Sequence, residues 1–490
     1  MATELSQYGL NIIYTGLVPN IENIEKIYNE TRPEFDKNKA LIEQLTEYYK
    51  GNQREGIPET EQSVNEKIIV NYTKLLCDTA VAITFTKPLT YISRKEDEAY
   101  KKDVQTISNY IVDEGDHESN LQTATDIAVT GVGYQYCLQQ NMEKDPTPYS
   151  PFTIGRFKPE NTYVVRSYDI GNKVVCSFHI ATLGNSEYIT AFDNKYKYTF
   201  YPEEMYKNDL LPLGETYYKG DKFYITMTAH DLPYNPISEF KTDIYGLSTV
   251  ADLIGLQDSL NTAISNYDND VVLKIKQILV IMGCEVDDDT LSNLKTTGVL
   301  NLPSSNNSTD KIDAKFVSSQ LNESIITYIK DTIERMSMIS GCPNQSSSGN
   351  AETGLAMEVQ NGHTVANFIS NKREQAFYKP KREQLGNIIT ILRRNNMLVS
   401  DITENDIEIK FDKNRLASLT DNINNYVQLI NNFVDPYDAL NVCHIFDDIQ
   451  GVSQRIKANK KAEELKESNK ENATQNSETS NTEVQENTVS

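Results

Sequence analysis

The 490-residue chain predicts an α+β protein with several structural units. Three observations lead there. Between 246 and 272, and again between 323 and 340, apolar residues recur at steps of three or four, the period of a helix with one buried stripe. Between about 150 and 240 the period is two, the mark of half-buried strands. At roughly 150 residues per unit, the length calls for about three of them.

The elements follow in order. Residues 20–56 are charged and helical, with Gly51 after Tyr48-Tyr49-Lys50 as the C-terminal stop. An apolar segment from Leu75 to Phe85 is closed by Lys87-Pro88, since proline cannot continue a helix. A helix over 121–129 ends in the turn Gly131-Val132-Gly133, and Tyr134–Leu138 alternates as a strand. Tyr163–Arg166, Val174–Ile180, Tyr196–Tyr201 and Phe223–Ala229 are strands of a small antiparallel sheet, divided by Gly171-Asn172, Asp193-Asn194 and Gly220-Asp221. Two prolines in Leu232–Ile237 end it.

The helix 246–272 carries Leu253, Leu256, Leu260, Ile264, Tyr267 and Val271 on one stripe. A mixed stretch follows, with apolar Ile278–Met282 and Val299–Leu302. The second helix carries Ile325, Ile329, Ile333, Met336 and Ile339 and stops at Gly341-Cys342-Pro343. After a serine-rich linker, a long helical segment over 353–396 contains Pro380, where a bend is expected. Ile407–Phe411 precedes an amphipathic helix with Leu416, Ile423 and Val427. From 462 onward almost no apolar residue remains, and such a segment cannot offset its ordering entropy.

Composition excludes several classes. The formal net charge of -23 is the reverse of the basic stripe that DNA-gripping modules use to neutralise phosphates. No uncharged apolar run reaches the ~18 residues of a membrane span, and the first residues do not form a secretory signal. The cysteines, Cys77, Cys137, Cys176, Cys284, Cys342 and Cys443, are scattered without a C-x-x-C pair, so reduced buried thiols are expected rather than a zinc site or disulfide framework.

Chemistry is largely missing. No Walker-type phosphate loop occurs. His117, His179, His230, His363 and His444 lie far apart. Asp287-Asp288-Asp289 reads more plainly as a helix N-terminus than as a metal cluster, and Ser346, Ser347 and Ser348 have no nucleophile frame around them. No catalytic residue, metal or cofactor is expected. One basic cluster stands against the acidic background: Lys372, Arg373, Lys379, Lys381, Arg382, Arg393 and Arg394. A solvated or subunit-pairing face is its plainer reading. Contact with DNA phosphates is the functional one, with Lys372, Arg373, Lys379, Lys381 and Arg382 as the candidates.

Five stretches, in order, resemble the portal proteins of tailed double-stranded-DNA phages, specifically the long-tailed siphovirus type. They are Tyr48–Gly51 with Asn71-Tyr72 and Lys87–Tyr91; Ala128–Tyr134; His230–Phe240 leading to Tyr245-Gly246-Leu247-Ser248; Leu256–Asn261 with Ser265 and Asn269-Asp270; and Pro343-Asn344 with Glu352–Met357. The resemblance implies a portal fold that assembles as a ring, twelve subunits in the virion, at one capsid vertex. It implies a wing over 1–242, a stem helix over 243–272, a clip over 273–322, a second stem helix over 323–340 and a tunnel loop over 341–353. Beyond these come a kinked wing helix over 354–404, a crown over 405–461 and a polar tail over 462–490. The implied partners are further copies of the chain, double-stranded DNA in transit, the terminase large subunit, a head–tail adaptor, and capsid and scaffolding proteins. The implied location is the virion, after assembly in the host cytoplasm. Gln345, Ser346, Ser347, Ser348, Gly349 and Asn350 would line the channel, in place of the acidic and aromatic residues that relatives often carry there. An acidic scaffolding or tail-adaptor protein without a channel is the alternative, and a carboxylate-based phosphodiesterase finds no convergent acidic group to support it. The clip strands are expected to pair between neighbouring subunits.

Overall fold

A computed structural model describes residues 11–16, 18–58, 66–85, 87–140, 150–184, 186–207, 216–242, 246–275, 278–282, 313–317, 323–343, 363–411 and 419–443, with a few single positions besides. The chain forms two compact units: Met1–Gly349 with Glu358–Asn414, and Asn350–Met357 with Arg415–Ser490.

The first unit opens on a seven-stranded sheet covered by a helix. Its strands are β1 (Ile12–Tyr14), β5 (Thr162–Ser167), β6 (Val174–Leu183), β7 (Ser186–Phe192), β8 (Tyr196–Pro202), β10 (Phe223–Ala229) and β9 (Tyr218–Lys219), in that spatial order. All neighbours pair antiparallel except β1, which lies parallel to β5. Period two aims Tyr163 and Val165, Cys176, Phe178 and Ile180, and Tyr198 and Phe200 at one face. Helix α1 (Ile24–Lys50) lays Ile24, Ile27, Tyr28 and Phe35 against them. It ends where the sequence places its stop: Gly51 takes φ +105°, and the amides of Gly51 and Asn52 return to the Tyr48 and Glu47 carbonyls. The buried Glu25 of α1 accepts the amides of Asp221 and Lys222 at 2.8 and 2.7 Å, which ties down the β9–β10 turn. The short α5 (Glu203–Lys207) follows β8.

A second layer builds on α2 (Tyr72–Thr84), α3 (Glu98–Asp113) and α4 (Asp116–Thr130). Beside them lie a three-stranded sheet, β11 (Ile237–Phe240), β3 (Gly133–Gln139) and β4 (Phe152–Phe157), and a two-stranded one, β2 (Thr90–Ser93) with β14 (Ile407–Lys410). The long helix α8 (His363–Arg394) drives Leu385, Ile388, Ile389, Ile391 and Leu392 into this core, against Val104, Ile107 and Ile111 of α3. It continues through Pro380 without stopping. Strand β14 is hydrogen-bonded to β2, more than three hundred residues earlier in the sequence.

Helices α6 (Thr249–Ile275) and α7 (Glu323–Ser340) form an αα pair. Between them in sequence, β12 (Ile278–Met282) pairs antiparallel with β13 (Asp313–Val317). Ile278–Met282 thus has one strand partner within its own chain. The second unit contains α9 (Leu419–Asn431) and α10 (Pro436–Cys443). Asp435 caps α10 by accepting the Tyr437 amide at 2.8 Å, and Pro436 occupies the first helical position. The five cysteines among the described residues are free and buried. Among the same residues, no helix is long and apolar enough to cross a membrane.

Candidate functional site

The paired helices are held by an apolar seam. Leu253 and Leu260 of α6 and Met336 of α7 are fully buried with Leu76 and Ala80 of α2, and Leu256, Ile264, Ile329 and Ile333 pack around them. The central parts of both predicted stripes therefore meet, whereas Ile339 of the α7 stripe is exposed. Beside the seam runs a groove of about 710 Å³, lined by Gly56, Asp258, Thr262, Asn266, Ser324 and Tyr328 among others.

A second stripe on α6 has different chemistry. Gln257, Asn261, Ser265 and Asn269 stand four residues apart, all buried. Facing them is the extended segment 66–71. Asn269 Oδ1 accepts the amide of Glu66 at 2.9 Å, Ser265 Oγ that of Ile68 at 2.9 Å, and Asn261 Oδ1 that of Val70 at 3.0 Å. Gln257 Oε1 accepts the Thr73 amide at 2.9 Å. In return Gln257 Nε2 donates to the Val70 carbonyl at 2.7 Å, Ser265 Oγ to that of Ile68 at 3.3 Å and Asn269 Nδ2 to that of Glu66 at 3.3 Å. The match is geometric. Four helical residues advance about 6 Å and two extended ones about 6.6 Å, so each turn of α6 meets every second residue of the segment.

The ladder connects to the end of α1. Asn261 Nδ2 donates to Gln53 Oε1 at 2.9 Å, and Gln53 Nε2 donates to Asn71 Oδ1 and the Tyr48 carbonyl, both at 3.0 Å. Asn71 also caps α2 through the Lys74 amide and donates to the Tyr49 carbonyl. Tyr48 Oη donates to Asp258 Oδ1 at 2.7 Å, and burial together with that carboxylate pushes the phenol well above its usual range. Two of the sequence stretches that resemble portal proteins, Tyr48–Gly51 with Asn71 and Gln257–Asn269, thus converge on one network. Two others converge at Gly131, where α4 turns at φ +86° directly against the Gly246 carbonyl.

The basic cluster on α8 divides. Lys372 and Lys379 are exposed, and Lys379 has Glu383 at 3.9 Å. Arg382 lies over the Tyr378 ring and donates to its hydroxyl at 2.8 Å. Two candidates for phosphate contact are corrected. Lys381 is 1% exposed, and its Nζ is taken by Asp116 Oδ1 at 2.5 Å, Gln135 Oε1 at 2.8 Å and Gln384 Oε1 at 2.9 Å. Burial pushes its pKa below the usual lysine value while Asp116 pulls it back up. Arg373 spans two helix C-termini, donating to the Ala80 carbonyl of α2 and the Ser340 carbonyl of α7 at 3.3 Å each, and burial lowers its pKa. Arg393 and Arg394 likewise serve carbonyls, those of Ile402 and of His230 and Asp231. The expected channel residues Gln345–Asn350, Asp287–Asp289, Val299–Leu302 and the tail from 462 lie outside the described residues.

Site reasoning from sequence does not single out Gln53 or Gln257 as functional. The available signal is the four-residue recurrence of amide and hydroxyl side chains one position after the apolar residues Leu256, Leu260 and Ile264. Among the described residues, no group of three His, Cys, Asp or Glu side chains is placed to hold a metal ion.

Residues 29–477 match the family model described as phage portal protein, SPP1 Gp6-like. No curated protein matches the chain. Solved structures that resemble it include the virion of a native gene transfer agent particle, with 14% identity over 76% of this chain and 88% of that one and a TM-score of 0.39. The neck of the native particle, computed with C12 symmetry, gives 15% identity over 76% and 88% and a TM-score of 0.40. The neck of the empty particle, computed with C6 symmetry, gives 14% over 76% and 89% and a TM-score of 0.41.

Proposed function

The chain belongs to the phage portal protein family, SPP1 Gp6-like, as a structural connector subunit, and on that premise we propose that twelve copies close into a ring at one capsid vertex. The ring provides the passage for double-stranded DNA during packaging and ejection. It docks first the terminase large subunit and then a head–tail adaptor, with capsid and scaffolding proteins as further partners. Assembly takes place in the host cytoplasm, and the working location is the virion. The role is mechanical, and no reaction is assigned to the chain.

The observation that carries this reading is the family match over residues 29–477. The αα pair supports it from the structure: α6 and α7 share an apolar seam and are joined through the β12–β13 ladder. In our reading these are the two stem helices, 243–272 and 323–340, and 273–322 is the clip. The clip's two strands pair within the chain, and a two-stranded ribbon is marginal alone, which suits a docking end that meets a neighbour or the motor. Residues 341–353 form the tunnel loop, with Gln345–Asn350 offering small neutral side chains to a sliding polyanion. The wing covers 1–242 and 354–404, the crown 405–461 and a polar tail 462–490. An acidic channel fits such a passage, because a chain of net charge -23 repels DNA rather than holding it.

Negative-stain imaging of the purified protein tests the ring. Closed rings with a central hole are expected, and monomers or solid particles at micromolar concentration overturn the proposal. Replacing 345–350 with a shorter linker then separates assembly from transport: intact rings with impaired packaging support the loop assignment, and unchanged packaging removes it.

A further inference from the structure

The two stripes of α6 do different mechanical work. The apolar seam of Leu253, Leu256, Leu260 and Ile264 resists separation of α6 from α2 and α7, but apolar burial is non-directional and offers little resistance to sliding or rotation about the helix axis. Hydrogen bonds are directional and lengthen at once when either partner moves along that axis. The ladder from Gln257 to Asn269 supplies them, at one rung per turn over four successive rungs.

The rungs at 66, 68 and 70 grip main chain. Asn269, Ser265 and Asn261 accept the amides of Glu66, Ile68 and Val70, and Asn269, Ser265 and Gln257 donate to the carbonyls of the same three residues, whose side chains remain exposed or half-buried. Asn261 joins this grip to Gln53, and so to the end of α1. We propose that Gln257, Asn261, Ser265 and Asn269 are positioning residues that set the axial register of α6 against the body of the subunit by holding the main chain of 66–70. The consequence for transport rests on reading α6 as a stem helix; the register itself does not.

The full-length chain with S265A and N269A together tests it, since these substitutions remove two rungs and leave Gln257, Asn261 and the apolar seam intact. Amide exchange at Glu66 and Ile68 is expected to speed up at least ten-fold, with S265T restoring Ile68 and changes at the Ile68 side chain having no effect. Spin labels at positions 43 of α1 and 266 of α6 are expected to give a broadened or displaced distance distribution in the double variant. Unchanged exchange, or faster exchange with an unchanged distance distribution, overturns the proposal. DNA retention by assembled particles is a separate arm: a shifted register with normal retention leaves the positioning role standing and counts against α6 as a stem helix.

Discussion

Lys381 Nζ lies 2.5 Å from Asp116 Oδ1, with neither side chain more than 5% exposed. The pair joins the middle of α8 to the first residue of α4. It is completed by Gln135, which donates to Asn120 Oδ1 and Thr123 Oγ1 at 3.0 Å each, and by Asn120, which donates to Asp116 Oδ2 at 2.8 Å. Each charge is thus neutralised and hydrogen-bonded, the condition under which a buried ion pair is tolerable. Pro380, immediately before Lys381, lies within α8, so the lysine sits where the helix has one backbone donor fewer.

Removing one partner should cost more than removing both. K381M leaves Asp116 buried without its cation, and a loss of about 3–5 kcal/mol is expected. The double variant K381M/D116L should recover most of that loss. Chemical denaturation of the three proteins checks the order; a K381M chain as stable as the original would mean that the pair is solvated.

His179 sets a dependence on pH. Its ring stacks on Phe157 with centroids 3.8 Å apart, Thr162 Oγ1 lies 2.9 Å from Nδ1, and burial lowers its pKa to about 4. Between an unfolded value near 6.5 and about 4, the unfolded chain binds a proton that the folded one refuses. Stability therefore falls as pH drops through this window. After discounting for partial solvent access the contribution is about 2–3 kcal/mol. Against H179Q, the parent should lose that much more stability between pH 7 and pH 4; parallel stability curves for the two would rule the effect out.

Gly131 tolerates no side chain. At φ +86° an L-residue is strained, and a Cβ there would overlap the Gly246 carbonyl, which is main chain and cannot swing away. G131A is expected to destabilise by more than about 2 kcal/mol, whereas G171A, at φ +101° with open space around it, should show only the backbone penalty of about 1 kcal/mol. Thermal melts of the two variants compare strain alone with strain plus collision.

Local chemistry in this chain is legible, and distant pairing is not. Gly51, Gly131 and Gly341 stop their helices at left-handed φ because that requirement is written in a single residue. The stripes of α6 and α7 and four strands of the large sheet follow from periodicity. Strand β7 is harder to read because one of its inward residues, Ala191, is small. The β2–β14 ladder joins Ser93 to Ile407, and no local pattern announces a partner more than three hundred residues away. Helix α3 carries Val104, Ile107 and Ile111 at helical spacing and escapes notice among charged neighbours. Lys381 is the sharpest case: a lysine among Lys379, Arg382 and Glu383 looks like surface, and only the fold brings Asp116 and Gln135 to it. The ladder residues are visible as sequence, but their partners are amides, which every residue has.

The division of the basic cluster yields the last prediction. Lys372 and Lys379 are the lysines among the five candidates whose side chains face solvent. Exposed charges away from a network contribute little to stability, usually within about 0.5 kcal/mol, and the Lys379–Glu383 pair at 3.9 Å is too loose and too exposed to alter that. K372E/K379E should therefore fold, melt and assemble like the parent. If these lysines meet phosphates in the assembled ring, removing each lysine–phosphate pair reduces the salt dependence of duplex binding by about 1 in the log–log slope. R373M and K381M should behave in the opposite way, lowering stability while leaving the slope of any ring that forms unchanged, because neither cation is free to leave its carbonyl or carboxylate partners. Binding of a short duplex to assembled rings, measured across a salt series, separates the two groups. An unaltered slope in K372E/K379E would return both lysines to the plainer reading of a solvated face.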